Sequence, residues 1–394
     1  MLRFASGNET DPPQPTTHNP PTRPEGATHH PPPTTHHRIA LVGTRGIPAN
    51  YGGFETFAEE LSVRLAARGY EVSVYCRQRH SEPVYRGVRL RYLPTIRHKY
   101  LDTVAHTFLS TLHLLAHRVD VALYCNGANA VFTALPRLCG IPVALNVDGV
   151  ERRRRKWNRA AKAWYLASEW LTTILPNAVV TDAKSIQDYY AHRYRKQTTF
   201  IPYGAETGKL ESSAVLARLG LESGRYFLYV SRMEPENHAL EVRQAFERVF
   251  TDMKLALIGD APYARDYIRQ VRDTRDPRII IPGAIYGQSY HELDSHCFAY
   301  IHATEVGGTH PALIEAMGRG ALVLYRGNPE NCEVAGDAGI PFDDDLAEKI
   351  SLALAMSEAE CNELRRRARE RVEQRYSWDA VADAYENLLH SIMK

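Results

Sequence analysis

Short apolar runs of strand length alternate with helix-length amphipathic segments in two series along this chain of 394 residues, and nothing else in it limits the fold as much. The first series opens with Arg38-Ile39-Ala40-Leu41-Val42-Gly43 and continues through Glu71 to Cys76, Val121 to Cys125, Pro142 to Asn146 and Ala178 to Asp182. Runs this uniformly apolar belong to strands buried on both faces, and helical stretches between them imply a parallel sheet covered on both sides. The pattern pauses at Ile201-Pro202-Tyr203-Gly204. It restarts with Tyr226 to Ser231, Leu255 to Ile258, Ile279 to Ile281, Ala299 to Ile301 and Leu322 to Tyr325. The expectation is an α/β protein of two doubly wound, Rossmann-like lobes. Ligands of such sheets sit at the carboxyl ends of the strands, so paired lobes share a cleft.

Boundaries follow from the same pattern. Residues 1–37 are rich in Pro, Thr and His, offer almost nothing to a core, and are expected to be a disordered tail. The first lobe is expected over 38–203 and the second over 204–376. Over 377–394 a last amphipathic helix begins at Trp378, with Ser377 in the capping position.

Composition removes several classes of function. A formal charge of +2 argues against a dedicated nucleic-acid binder. No apolar run approaches the roughly 20 residues of a membrane helix, so membrane contact is expected to be peripheral. The six cysteines are scattered without a C-x-x-C pair, which fits a reducing cytoplasm. Asp343-Asp344-Asp345 precedes a late helix and reads as a solvated cap. No metal or cofactor is expected.

Three stretches carry chemistry. The first strand runs into a glycine-rich segment from Gly43 to Glu55, containing Gly52 and Gly53, ahead of a helix expected over Thr56 to Arg68. Such a loop is either a turn or a place where backbone approaches an anion. It matches neither the dinucleotide G-x-G-x-x-G spacing nor a P-loop. In the second lobe Gly307, Gly308 and Thr309 precede Pro311, a residue suited to a first helical turn, and could present free amides to a diphosphate. Glu315, one turn on, is either a solvated helix residue or the acceptor of two hydrogen bonds from a ribose diol. Arg232 follows the strand ending at Val230, where a guanidinium can fork onto phosphate or serve the fold.

Taken in order, Gly43-Thr44-Arg45-Gly46-Ile47-Pro48 with Tyr51-Gly52-Gly53-Phe54-Glu55, Asn146-Val147-Asp148-Gly149, Ser231-Arg232-Met233-Glu234-Pro235-Glu236-Asn237, and Val306-Gly307-Gly308-Thr309-His310-Pro311 with Glu315-Ala316-Met317 resemble the family 4 retaining glycosyltransferases. More narrowly they resemble their bacterial rhamnosyltransferase branch. The resemblance implies a GT-B fold, with the acceptor on the first lobe, a nucleotide-diphosphate sugar on the second, and a C-terminal helix crossing back. It implies that Arg232 neutralises the leaving diphosphate and that Glu315 holds the nucleoside sugar. Gly307 to Thr309 would contact phosphate or the transferred sugar, the Gly52-Gly53 loop would close over the diphosphate, and Asp148 would position donor sugar or acceptor hydroxyl. Glu55, Asn146, Glu236, Asn237 and His310 fall within these motifs and are expected at the substrates. Two departures stand out. Gly307 occupies the position of the first of two glutamates in the wider family, and Asn237 and His238 occupy the stretch where that family carries a lysine.

The resemblance further implies transfer with retention, L-rhamnose from a thymidine-diphosphate donor, and no metal. Glu151-Arg152-Arg153-Arg154-Arg155-Lys156-Trp157 leads into a helix bearing Trp164, Tyr165 and Trp170, and a second basic run spans His192 to Lys196. These runs are either solvated faces or a surface for anionic head groups and a lipid-diphosphate acceptor. The rival readings are a nucleotide-sugar epimerase on the same fold, a nicotinamide-dependent oxidoreductase, and a non-catalytic sugar binder. Cys76 and Arg77 stand where a dinucleotide enzyme needs an acidic residue.

Overall fold

The computed structural model describes residues 37–49, 52–96, 98, 101–147, 149–153, 157–261 and 263–394. The tail expected over 1–37 lies, but for His37, outside the described residues, as does Asp148.

In the first lobe the strands are β1 (Arg38–Val42), β2 (Glu71–Cys76), β3 (Val84–Tyr85), β4 (Val88–Tyr92), β5 (Val121–Cys125), β6 (Val143–Val147), β7 (Ala178–Thr181) and β8 (Thr199–Phe200). Its helices are α1 (Gly53–Ala67), α2 (Asp102–Ala116), α3 (Ala134–Leu138), α4 (Arg159–Thr172) and α5 (Lys184–Tyr194). The sheet order is β3-β4-β2-β1-β5-β6-β7-β8, parallel except for the β3–β4 hairpin. That hairpin escapes the sequence pattern because its residues alternate at a solvated edge instead of forming an apolar run.

The second lobe carries β9 (Tyr226–Val230), β10 (Lys254–Ile258), β11 (Ile279–Gly283), β12 (Ala299–His302), β13 (Leu322–Arg326) and β14 (Ile340–Phe342). Around them pack α6 (Ala214–Leu219), α7 (Ala239–Glu247), α8 (Arg265–Arg272), α9 (Gln288–His296), α10 (Pro311–Gly318), α11 (Pro329–Ala335), α12 (Leu346–Ala355) and α13 (Glu358–Arg375). This sheet is parallel throughout, in the order β11-β10-β9-β12-β13-β14.

Both sheets reverse direction beside their opening strand, at β2-β1-β5 and at β10-β9-β12, which opens a crevice at the carboxyl ends of those strands. β5 and β6 are buried at every position, as strands covered on both faces must be.

The chain leaves the first sheet after Phe200 and comes back beside the same point. Ala205 N–H donates to Tyr376 O at 2.8 Å, and Ala205 and Ser377 form a parallel bridge. The last helix, α14 (Trp378–Met393), then packs on α1 of the first lobe. Tyr385 meets Phe57 at a centroid distance of 5.1 Å, and Tyr70 donates to Glu386 at 2.7 Å. Ser377 holds the N-cap position but makes no side-chain cap; its backbone bridges to the linker instead. Asp345 likewise stands ahead of α12, pairing with Lys349 at 3.2 Å.

Candidate active site between the lobes

A cavity of about 330 Å³ opens between the carboxyl ends of β9 and β10 and the start of α1. From the first lobe Gly52, Gly53, Thr56, Glu59 and Glu60 line it; from the second come Arg232, Asp260, Tyr286, Tyr290, His291 and Glu315. Of the residues singled out in the sequence, Gly52, Gly53, Arg232 and Glu315 therefore meet at one place.

α1 begins at Gly53, three residues earlier than the sequence pattern suggests, with Gly52 as its extended N-cap. The wall facing the second lobe is thus a helix N-terminus, where amides point outward and favour an anion. Glu55, in that first turn, does not line the cavity. It is buried and accepts a hydrogen bond from Arg45 N–H at 2.9 Å, so it braces the loop after β1. Burial pushes its carboxyl up, against that bond and the charges of Arg77 and Arg45.

Arg232 is half-buried just past β9. Behind it Asn237 is buried and donates through Nδ2 to Arg232 O at 2.6 Å, while Tyr229 donates to Asn237 O at 2.6 Å. Glu236 is buried too, its carbonyl accepting from Glu305 N–H at 3.1 Å. Glu236 and Asn237 shape the loop that presents Arg232 and are not among the residues that line the cavity.

Glu315 faces the cavity from α10, with Oε2 accepting from the hydroxyl of Tyr290 at 2.7 Å. Burial raises the carboxyl of Glu315, and the Tyr290 bond opposes that shift. Asp294, one turn beyond Tyr290 and fully buried, has its carboxyl pushed well up by burial and by the charge of Glu315. His291 is held neutral, its pKa lowered to about 4 by burial and the nearby Arg319. Sequence reasoning missed Tyr290 and His291, whose only signal is their place on a helix ahead of β12.

The second glycine segment differs most from expectation. Pro311 does open α10, with His310 at the N-cap. The Thr309 amide is not free for a diphosphate, because its N–H donates to Asp182 Oδ2 at 3.1 Å and its hydroxyl donates to Asp182 O. A Cβ on Gly308 would meet Asp182 Oδ1 at 2.2 Å, and one on Gly149, at φ +68°, would meet the Gly307 carbonyl carbon at 2.8 Å. Gly149 lets the lobes touch backbone to backbone, and Gly308 makes room for the Asp182 carboxylate. At Gly307 a Cβ would lie 2.5 Å from Cε1 of His310, so the imidazole fills the space a glutamate side chain would need. The His310 ring in turn lies 4.9 Å from that of His302. Gly307, Gly308 and Thr309 thus form the interlobe seam, with His310 behind them against His302.

Asn146 also turns from the cavity, donating through Nδ2 to Tyr385 of α14 at 2.7 Å. In the basic stretch Arg152 is drawn inward, bonded to the buried Glu169 at 3.0 Å and to Tyr189 at 2.8 Å. Trp157 packs on Tyr165 at 5.3 Å. The side chains of Arg153, Arg154, Arg155 and Lys156 lie outside the described residues.

Comparison with known proteins agrees with this geometry. The family model of Glycosyltransferase Family 4 matches residues 51–209, and that of Glycosyl transferase-like proteins matches 239–387. None of the curated proteins matches the sequence. Among solved structures, Anabaena HepE in complex with UDP and glucose superposes with a TM-score of 0.74 at 15% identity, over 90% of this chain and 100% of that one. Sucrose-phosphate synthase from Thermosynechococcus elongatus gives 0.73 at 18% identity, over 90% and 98%. A glycosyltransferase from Rickettsia africae gives 0.70 at 15%, over 91% and 99%. With a glycosyltransferase family model on each lobe and this shared architecture, the chain is a glycosyltransferase with the GT-B fold, its first lobe similar to Glycosyltransferase Family 4.

Proposed function

We propose that this transferase moves a hexose, with L-rhamnose from thymidine-diphosphate rhamnose as the first candidate, onto a sugar hydroxyl of a lipid-diphosphate-linked acceptor, with retention and without a metal ion. The observation that carries the reading is the meeting of Arg232, Glu315 and the α1 N-terminus around one cavity. A guanidinium and helix-end amides suit a diphosphate. A half-buried carboxylate anchored by Tyr290 suits a ribose diol.

In the proposed step the acceptor oxygen attacks the anomeric carbon from the face the diphosphate leaves. The C–O bond to the β-phosphate breaks, its electron pair stays on the departing oxygen, and that oxygen takes the acceptor proton. The protein then contributes alignment and charge stabilisation, with Arg232 meeting the charge that develops on the phosphate. Asp148, which follows Val147 in the sequence, is assigned the positioning of donor sugar or acceptor hydroxyl. The basic stretch ahead of α4 supports a lipid-linked acceptor and a peripheral position at the cytoplasmic membrane face.

A UDP-sugar donor is the second reading, favoured by the fold shared with HepE, which was solved with UDP and glucose. The test is turnover of the purified protein with a chelator present, across a panel of thymidine-, uridine- and guanosine-diphosphate sugars, products resolved by mass. Acceptor-dependent release of one nucleoside diphosphate is expected. Binding of NAD, or donor epimerised or hydrolysed without acceptor, would overturn it.

A further inference from the structure

Among the described residues, the outer face of the first lobe carries an apolar surface that nothing covers and that the cavity does not use. α2, α3 and α4 lie side by side on one face of the sheet. Phe108 of α2 packs on Phe132, just before α3, at 6.1 Å. Arg137 of α3 donates to the Ile174 and Leu175 carbonyls, just after α4, at 2.8 Å each. Large apolar side chains nevertheless point outward across all three helices: Phe108 and Leu112 on α2, Leu138 on α3, and Leu166 and Trp170 on α4. Leu138 is 84% exposed and Trp170 is 56% exposed, values that mark outward projection beyond a loosely covered core. Phe108 and Leu112 share one stripe of α2, and Leu166 and Trp170 share one stripe of α4, each pair four residues apart.

Charge selects the occupant. Among the described residues of α2, α3 and α4, none of the exposed ones is Asp or Glu. The two acids on these helices are satisfied internally: Asp102 accepts from Arg77 at 2.6 Å, and Glu169 is buried against Arg152, Tyr189 and Tyr194. Among the described residues of these helices the exposed charges are cationic, from Arg137, Arg159 and Lys162. An apolar face whose exposed charges, among the described residues of these three helices, are cations matches an anionic lipid surface, where the side chains enter the acyl boundary and the cations meet head groups. A second copy of the chain would bring cations against cations.

We infer that the α2–α3–α4 face docks on an anionic bilayer, a reading that builds on the lipid-linked acceptor proposed above and names the surface that would bring the enzyme to it. The test is flotation of the full-length protein with vesicles of phosphatidylethanolamine and phosphatidylglycerol, against vesicles of phosphatidylcholine alone, with tryptophan emission followed in parallel. Binding to the anionic vesicles that weakens with salt is expected, with a blue shift lost in Trp170→Phe. The pair Leu138→Glu with Trp170→Glu is expected to lower vesicle affinity by at least about tenfold, from lost apolar burial and added repulsion. Thermal midpoint and donor binding in solution are measured on the same preparations and are expected to hold, since neither residue lines the cavity. If the folded wild type ignores anionic vesicles, or the folded double variant floats as well as wild type, the inference is overturned. It is equally overturned if sedimentation shows a dimer that the same two substitutions dissociate. In each of those cases, intact donor turnover would leave the transferase reading standing.

Discussion

The carboxylate of Asp182, at the end of first-lobe strand β7, accepts a hydrogen bond from the backbone N–H of Thr309, at the start of second-lobe helix α10, at 3.1 Å. A reciprocal contact lies beside it. Glu333 of the second lobe accepts from Lys184 N–H at 3.0 Å, at the start of first-lobe helix α5, which has no side-chain cap of its own. Each lobe thus supplies a carboxylate to a helix start of the other, where the unpaired amides and the helix dipole favour negative charge. Replacing Asp182 with Ala should cost about 1–3 kcal/mol through the amide left without its acceptor. Small-angle scattering should show a larger, more open particle, and Glu333→Gln should add less to an Asp182→Ala background than to wild type. Unchanged size and stability in both single variants would refute the idea that these contacts hold the lobes together.

Arg232 is the cation assigned to the leaving diphosphate. Arg232→Ala should lower turnover on the order of a hundredfold to a thousandfold, the usual loss when one group that stabilises developing charge is removed. Arg232→Lys should recover only part of it, since an ammonium cannot fork onto two oxygens. Steady-state rates at saturating donor would decide the matter, and near-normal turnover in the Ala variant would remove Arg232 from the site.

Tyr290 supports Glu315 from behind, so its loss should act on donor binding more than on the chemical step. Tyr290→Phe removes the bond to Glu315 Oε2 and keeps the ring. A rise in donor KM of roughly fivefold to thirtyfold is expected with kcat little changed, equivalent to about 1–2 kcal/mol. If kcat falls and KM stays put, Glu315 is acting on the reacting centre and not on the nucleoside.

How far the sequence could be read varies with the physics behind each feature. Strands such as β5 and β6 stand out because burial on both faces demands unbroken apolar runs, and the pause after Phe200 marks the crossing between lobes. The residues lining the cavity were legible where a special backbone or a charge stands at a strand end, as at Gly52, Gly53 and Arg232. They were illegible where the signal is only proximity in space, as at Tyr290 and His291 of α9. The glycines after β12 misled for a specific reason. Glycine marks close approach without naming what approaches, and here the neighbour is the other lobe, through Asp182 and Gly149. Arg152 misled in the same way, because a run of cations does not reveal that one member serves a buried Glu169.

Three histidines with lowered pKa values work against the fold on acidification. Burial lowers His302 to about 3, lowers His106 to about 4 ahead of the charge of Arg77, and lowers His291 to about 4. Unfolded, each returns to about 6.5. Between these values the unfolded chain binds protons that the native chain refuses. The stabilisation is therefore complete above about pH 6.5 and drains away as the pH falls toward 4. For the fully buried His302 and His106 the loss is roughly 1.4 kcal/mol per pH unit each. Asp294 and Glu315, with raised carboxyls, slope the other way, so the histidine contribution has to be read as a difference between proteins. His302→Gln should be less stable than wild type near neutrality and should lose less stability on acidification. Denaturant titrations of both proteins across about pH 7 to 5 check this, and parallel pH profiles would mean that His302 is not held neutral in the native fold.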